Sequence, residues 1–467
     1  MIKNCICILI AWLLNVISLY GQTAEEGVPS IKLLRAEENY LFLMESDSLS
    51  ESIFFPSLKL ISLNKDEDVL LTLGGEYRVR LESFTNELYS PEDDHFYSQR
   101  VDFHASLKIK QRIRLFAELY HGFTSEEQRV LESDQIDLHQ GFLEVLLVDK
   151  PSASMTLRLG RQEIGYGASR LIGIREGPNM RRSFDLVNLS YRKPKGSLNL
   201  IYGKELTYGF DSFDNTSRFF DEDAQNPVIW GAYMQDNLVN GIGKLDFYYF
   251  GFKVNTARFN DVIGEETRHS VGVRSYGKAG RFSFNTELIY QFGTLGDSDI
   301  SAYNFETDWG YYLSESGWKP KIGLRLDFSS GDRAVGDGKI QTFNPMFVNP
   351  AIYSLAAVNT PANLTGFHPN LTFYPSEKLS VYMDYALFYR TTSSDGLYSP
   401  PRFLLRESGS VIDRHIGDVL GIQINWEINR HMAFDLRSSI FFAGDFIEAT
   451  GDAENTFYVA PTFSVKF

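Results

Sequence analysis

The chain has 467 residues and a formal net charge of -15, which argues against a general nucleic-acid binder, since such proteins present a basic face. With 36 Phe, 25 Tyr and an apolar fraction of 43%, the composition fits strands that face lipid on one side and water on the other. The two cysteines, Cys5 and Cys7, lie in the N-terminal apolar run, so a processed chain would have no disulfide framework and no thiol chemistry.

Residues 1–21 read as a secretory signal peptide, with Lys3 as its basic start and Cys5 to Tyr20 as its apolar region. Cleavage is expected before Gln22 or after Ala24. No later apolar run is long enough for a transmembrane helix. Residues 22–68 are acidic and mixed, too poor in apolar side chains to bury a core of their own. They read as an extended periplasmic lead-in to a barrel spanning residues 69–467.

From Val69 onward the pattern has period two. Leu71, Leu73, Tyr77, Val79 and Leu81 alternate with Thr72, Glu76, Arg78, Arg80 and Glu82. Val101, Phe103, Ala105 and Leu107 alternate with Arg100, Asp102, His104 and Lys108. A helix would scatter these residues around its axis, whereas a strand sends them to opposite faces. The same phase continues through Phe282–Gln291, Lys321–Phe328 and Leu420–Ile428 to Phe457–Phe467. The terminal Phe467 resembles the last aromatic residue of bacterial outer-membrane barrels.

Connections alternate in length. Short turns are expected at Lys110-Gln111, Asp149–Pro151, Arg192–Gly196, Asn240-Gly241, Gly277–Gly280, Ser314–Gly317, Pro375–Lys378 and Asn429-Arg430. Long polar loops are expected near 87–94, 123–138, 164–181, 208–226, 256–266, 294–299, 331–362, 392–412 and 446–454. The count gives about eighteen antiparallel strands, with both ends of the chain on the short-turn side. An even count with short turns at one rim is what an outer-membrane β-barrel requires, and closure leaves no unpaired edge in hydrocarbon. A barrel of this size is expected to enclose a water-filled lumen. The all-β alternatives, a sandwich or a propeller, fit less well: charges sit deep in strand centres and no blade-length repeat is present.

Catalytic signatures are absent from the sequence: no G-x-S-x-G elbow, no H-E-x-x-H and no dinucleotide fingerprint. Gly331–Asp337 has the glycine spacing of a phosphate loop, with Asp337 where Lys is required. The eight histidines are dispersed without ligand spacing, so no metal or cofactor is expected. Strand phase points Arg78, Arg80, Arg100, Lys108, Arg112, Arg114, Arg158, Arg274 and Arg325 inward, with Glu76, Asp102, Glu118, Glu287, Asp327, Asp384 and Glu427 among them. Such pairs can simply brace a wet wall. They can also form a cationic conduit, because guanidinium groups bind carboxylates bidentately and stay charged. The connection between Leu159 and Ser183 adds Arg170, Arg175, Arg181 and Arg182, whereas loops 123–138 and 208–226 are acidic.

Several short stretches resemble the alginate export family of outer-membrane barrels. They are Arg35–Tyr40, Leu58–Leu63, Gly74–Arg80, Leu159–Glu163, Arg182–Asp185, and Gly331-Asp332 followed by Phe343–Pro345. The resemblance covers nearly all of the chain beyond the leader. It implies a monomeric barrel in outer-membrane lipid, with an arginine-rich pore that passes an anionic polysaccharide or oligosaccharide. It also implies roles for Arg78, Arg80, Arg161, Arg182 and Asp185, and a lead-in that could meet a periplasmic partner. The alternatives from the residues themselves are a general porin for small solutes, a barrel that binds a partner through its loops, and a barrel enzyme.

Overall fold

The computed structural model describes residues 31–44, 55–125, 129, 131–221, 224–237, 242–400 and 402–467. The expected leader at residues 1–21 and the turn at Asn240-Gly241 lie outside the described residues. The period-two stretches fold as long strands. In chain order they are β1 (Val69–Thr85), β2 (Asp94–Ile109), β3 (Ile113–Thr124), β4 (Asp134–Lys150), β5 (Ala153–Gln162) and β6 (Phe184–Lys193). Next come β7 (Gly196–Glu205), β8 (Val228–Asn237), β9 (Gly243–Phe259), β10 (Val262–Ala279), β11 (Phe282–Leu295) and β12 (Ser298–Tyr312). The last six are β13 (Lys321–Ser329), β14 (Leu364–Ser376), β15 (Leu379–Arg390), β16 (His415–Glu427), β17 (Met432–Ala443) and β18 (Thr456–Lys466).

Each strand pairs antiparallel with its sequence neighbour, and β18 pairs with β1 (Glu76 opposite Lys466, Thr85 opposite Phe457), which closes an eighteen-stranded barrel. Closure satisfies every strand edge, the condition for crossing hydrocarbon with β-structure. The alternation sorts the two faces as the sequence predicts. Leu81, Val101, Leu115, Leu159, Val187, Leu200, Val271, Leu288, Ile322 and Leu420 are exposed on the outside, whereas Glu76, Arg78, Arg80, Arg100, Asp102 and Glu118 are buried inside. The outer surface is therefore an apolar band suited to lipid.

Two expectations about the loops change. The connections expected at 256–266 and 294–299 are tight turns, because β9 pairs with β10 as far as Phe259 opposite Val262, and β11 with β12 as far as Leu295 opposite Ser298. Asn260 and Gly296, both at positive φ, turn the chain there. Polar residues near these hairpin tips look like loop in sequence, yet the ladder runs on beyond the apolar band.

The expected water-filled lumen is also corrected. Loops 163–183 and 330–363 fold inward and lay an apolar core against one wall. Ile164, Leu171, Ile172, Phe343, Met346 and Phe347 pack there with Phe184, Ile229, Phe250, Phe252 and Ile289. Ile172 bridges to Tyr166 and to Phe347, so the two loops are joined by backbone pairing. Burying these side chains offsets the entropy of ordering such long connections.

At the rim of short turns, the side that faces the periplasm in outer-membrane barrels, Ile61–Ser62 adds a short strand against Leu70 and Leu71 of β1. Arg35 donates to the carbonyls of Phe467 (2.7 Å) and Gly75 (3.4 Å), and Lys59 Nζ donates to Leu73 O (2.8 Å). These contacts hold the described parts of residues 22–68 inside the barrel mouth.

Candidate functional site: a carboxylate held by three arginines

Arg78 on β1 and Arg100 on β2 occupy opposed positions of the antiparallel ladder. Two buried cations this close are unfavourable unless an anion joins them. Glu176, from loop 163–183, does so. Its carboxylate lies 2.9 Å from Arg100, 3.5 Å from Arg78 and 2.9 Å from Arg181 of the same loop. Burial opposes its ionisation, but Arg100, Arg181 and Arg78 prevail and hold the carboxyl well below the usual carboxylate range. The Glu176 side chain retains 29% exposure, whereas that of Arg100 has none. The cradle is thus reached through the face that Glu176 fills.

Around this centre the loop is tied to the wall. Arg78 donates to Glu176 O (2.6 Å) and Asn179 Oδ1 (3.0 Å), and Arg80 donates to Gly177 O (2.6 Å) and Tyr458 Oη (2.7 Å). Asn179 Nδ2 donates to the carbonyls of Gln99 (3.0 Å), Phe123 (3.3 Å) and Glu132 (2.8 Å). Arg181 pairs with Glu163 at 2.7 Å and donates to Leu33 O at 3.2 Å, so loop and lead-in meet inside the barrel. Arg182 donates to Glu205 Oε1 (2.9 Å) and to the carbonyl of Phe347, which stitches loop 163–183 to loop 330–363. Burial pushes the Arg182 pKa down to about 10, so it remains a cation at neutral pH.

Loop 163–183 walls two cavities. The periplasmic one, of about 540 Å³, is lined by Glu163, Gly165 and Tyr166 of the loop and by Arg114, Arg158, Glu37, Glu144, Asn188 and Asn199. Arg158 reaches both Glu144 (2.6 Å) and Glu37 (3.0 Å), and Arg114 donates to Ala36 O (2.7 Å). The extracellular one, of about 220 Å³, is lined by Arg80, Glu82, Glu132, Arg175, Gly177, Arg182, Arg437 and Tyr458. Burial, and then Glu82, push the Glu132 carboxyl up to about 7 against the pull of Arg78 and Arg80.

The match to known proteins is decisive at the level of family. Residues 69–460, the whole barrel apart from its last residues, match the alginate export family. The chain belongs to that family. Its barrel is similar in fold to OccK2 (OpdF) of Pseudomonas aeruginosa solved in complex with glucuronate, at 9% identity and a TM-score of 0.55, covering 85% of this chain and 98% of that one. It is likewise similar to OccAB1 of Acinetobacter baumannii, at 11% identity and a TM-score of 0.56, covering 88% and 99%, and to OpdO of Pseudomonas aeruginosa, at 9%, 0.56, 85% and 97%. No curated protein matches the chain. Family and fold are those of an outer-membrane transport barrel and not of an enzyme class.

Within this alginate-export barrel the nine residues expected to line the pore separate into groups. Arg78, Arg80 and Arg100 converge on loop 163–183, Arg114 and Arg158 line the periplasmic cavity, and Arg182 anchors two loops to each other. Arg112 is corrected: it lies in the exposed turn between β2 and β3, just below the wall. Arg161 and Asp185 are corrected too. They share the parity of Leu159 and Val187, which are exposed on the outer face, and pair with each other at 3.0 Å beneath loop 206–227. Arg161 Nη2 donates to Asn215 O (3.0 Å), and Asp185 accepts from Ser217 Oγ (2.7 Å). Glu176 and Asn179 carry the centre of the site without having been singled out in sequence, whereas Arg181 was named only as one of the arginines of the connection. The arginine-rich connection signalled that this loop mattered, but a lone Glu within it gave no sign of its partner.

Proposed function

We propose that this barrel is a channel for an anionic sugar polymer or oligomer, whose carboxylates are taken up in the lumen by Arg78, Arg100 and Arg181. The supporting observation is that these three guanidinium groups already hold one carboxylate, that of Glu176, 2.9–3.5 Å away. A uronate presents the same group. Guanidinium groups recognise it by charge and by paired N–H donors, and stay protonated throughout the physiological range. The amide, hydroxyl and tyrosine groups of the periplasmic cavity, such as Asn188, Asn199, Ser190 and Tyr166, suit the hydroxyl-rich remainder of a sugar. Passage requires the Glu176 segment to yield its place, so the loop acts as an internal competitor for the cradle.

A second reading, a channel for single uronates or other small anions, is favoured by the inward-folded loops, which leave cavities of about 540 and 220 Å³ where an open duct would be wider. The fold neighbour OccK2 was solved with glucuronate, a single uronate. Conductance of the refolded protein in planar bilayers, with reversal potentials in a salt gradient, tests both readings. Anion selectivity with block by polyuronate, weakened by Arg78→Ala with Arg80→Ala, supports the polymer. Block by monouronate alone supports the small-solute channel. A pore indifferent to both overturns the anionic-sugar proposal.

A further inference from the structure

Glu132 of loop 123–138 faces the cavity beside the lumen cradle, but other carboxylates of loops 123–138 and 208–226 are brought together away from it. Asp134 and Asp137 at the extracellular end of β4, and Asp214 in loop 206–227, each place a carboxylate oxygen within 4.8 Å of the others. We propose that these three aspartates bind a hard divalent cation of the calcium class, which pins loop 206–227 to the outer rim of the barrel.

Charge is the first argument. Asp134 and Asp137 are 2% and 1% exposed, so solvent does little to screen them. Asp211 N donates to Asp214 Oδ2, which brings the Asp211 side chain into the same turn. The cation beside them, Arg161, is shared: it lies 3.4 Å from Asp137 but 3.0 Å from Asp185. The two buried aspartates therefore carry negative charge that the shared guanidinium of Arg161 cancels only in part, beside a third carboxylate at the surface.

The second argument is an orphaned atom. Among the described residues, Asp134 Oδ1 is buried and has no hydrogen-bond partner. Asn215 serves the outer lone pairs of the pair, donating from Nδ2 to Asp134 Oδ2 (2.7 Å) and from its backbone N to Asp137 Oδ2 (2.9 Å). These bonds orient the carboxylates and leave their charge uncancelled, as the hydrogen bonds behind metal ligands do. A buried carboxylate oxygen without a donor is costly, and a cation supplies what is missing.

Space is the third. A Cβ on Gly209 would fall 2.0 Å from Asp214 Oδ2, so glycine at this position makes room for the carboxylate to turn toward the rim. The donor set is all oxygen, which selects a hard ion over zinc or copper. Oxygens about 2.4 Å from a shared calcium lie at most about 4.8 Å apart, and the three carboxylates fall within that limit. Two histidine-containing groups in the wall, Asp102 with His104 and Glu118, and Glu118 with His139 and Glu163, differ in this respect. Arg100 stands 4.0 Å from Asp102 and Arg181 2.7 Å from Glu163, so cations already balance those carboxylates.

The test is titration calorimetry and thermal unfolding of the full-length refolded barrel in detergent, with CaCl2 compared against KCl of equal ionic strength. The expected result is one calcium site and a rise in Tm on calcium addition. Both should be lost in Asp134→Asn with Asp214→Asn. Without calcium the double variant should melt no lower than the parent, because the repulsion has been relieved. If the double variant does not fold, Asp214→Asn alone decides, since that side chain is exposed and its loss cannot unfold the wall. Unchanged calcium affinity in Asp214→Asn or in the double variant, or a parent protein that neither binds nor gains Tm with millimolar calcium, overturns the proposal. Channel conductance plays no part in this readout, so its outcome is independent of the transport reading.

Discussion

Arg78 and Arg100 face each other across the β1–β2 ladder, and Glu176 stands between their guanidinium groups and that of Arg181. Two opposed cations in a buried wall are tolerable because carboxylates join them, Glu176 from the loop at 2.9 Å and Glu76 from the wall at 3.3 Å from Arg100. The strands therefore fix the receptor, while loop 163–183 supplies its resident ligand.

Glu176→Gln keeps the shape of that segment and removes its charge. The variant is expected to be more anion-selective than the parent. Polyuronate should block it at roughly tenfold lower concentration, the equivalent of about 1.4 kcal/mol of freed charge-assisted contact. Current–voltage curves with polyuronate on one side give the answer; an unchanged blocking concentration would show that Glu176 does not compete for the cradle.

Asn179 is a hub with a different purpose. Its side-chain amide satisfies carbonyls on Gln99, Phe123 and Glu132 while its oxygen accepts from Arg78. Asn179→Ala strands these groups at a cost of about 1–3 kcal/mol. Because the wall itself is untouched, the loss should appear as detachment of loop 163–183, seen as larger and noisier single-channel conductance with little change in the global unfolding midpoint.

Arg181→Ala leaves Glu163 and Glu176 short of the cation that joins them, and removes the link to Leu33 O. Breaking a buried pair from one side typically costs about 3–5 kcal/mol. Urea unfolding should register a loss of this order, and Arg181→Lys should recover only part of it, since an ammonium cannot bridge both carboxylates with the planar geometry of guanidinium.

Glu132 sets a pH dependence. Its carboxyl is pushed up to about 7 in the folded protein, chiefly by burial, against an ordinary value near about 4.3. The folded state therefore binds more protons than the unfolded state between these values. Stability from this group falls as pH rises through that window, and the full penalty is present above pH 7. Glu132→Gln should accordingly match the parent near pH 4 and exceed it at pH 8, by an amount on the order of a few kcal/mol. Denaturant midpoints at the two pH values check the sign. The parent should also become more anion-selective on going from pH 8 to pH 6, as the extracellular cavity loses a negative charge.

Deleting residues 22–68 removes Ala36 O from Arg114, Glu37 from Arg158 and Leu33 O from Arg181. The barrel should remain closed, since β1 still pairs with β18. Conductance should rise because the periplasmic cavity opens directly to solvent; an unchanged conductance would place the limiting constriction at loop 163–183 alone.

Much of the barrel was legible in the chain itself. Period-two alternation is a local property, so it identified the strands, their inward and outward faces, and Arg78, Arg80 and Arg100 as wall residues before any contact was known. Alternation reports only parity, however. It cannot say how high on the wall a residue sits or what covers it. For that reason Arg112 falls in a turn. Arg161 and Asp185 were named by the family resemblance and not by alternation, and their parity puts them on the outer rim beneath loop 206–227. The hairpins at Asn260 and Gly296 were missed because polar residues beyond the lipid band can still pair in a ladder. The direction taken by the long loops was decided by tertiary structure alone. Phe347 and Ile172 find an apolar wall inside the barrel, and Glu176 finds three guanidinium groups there. Those partners are brought together only when the sheet closes, so no local pattern in the loop could have named them.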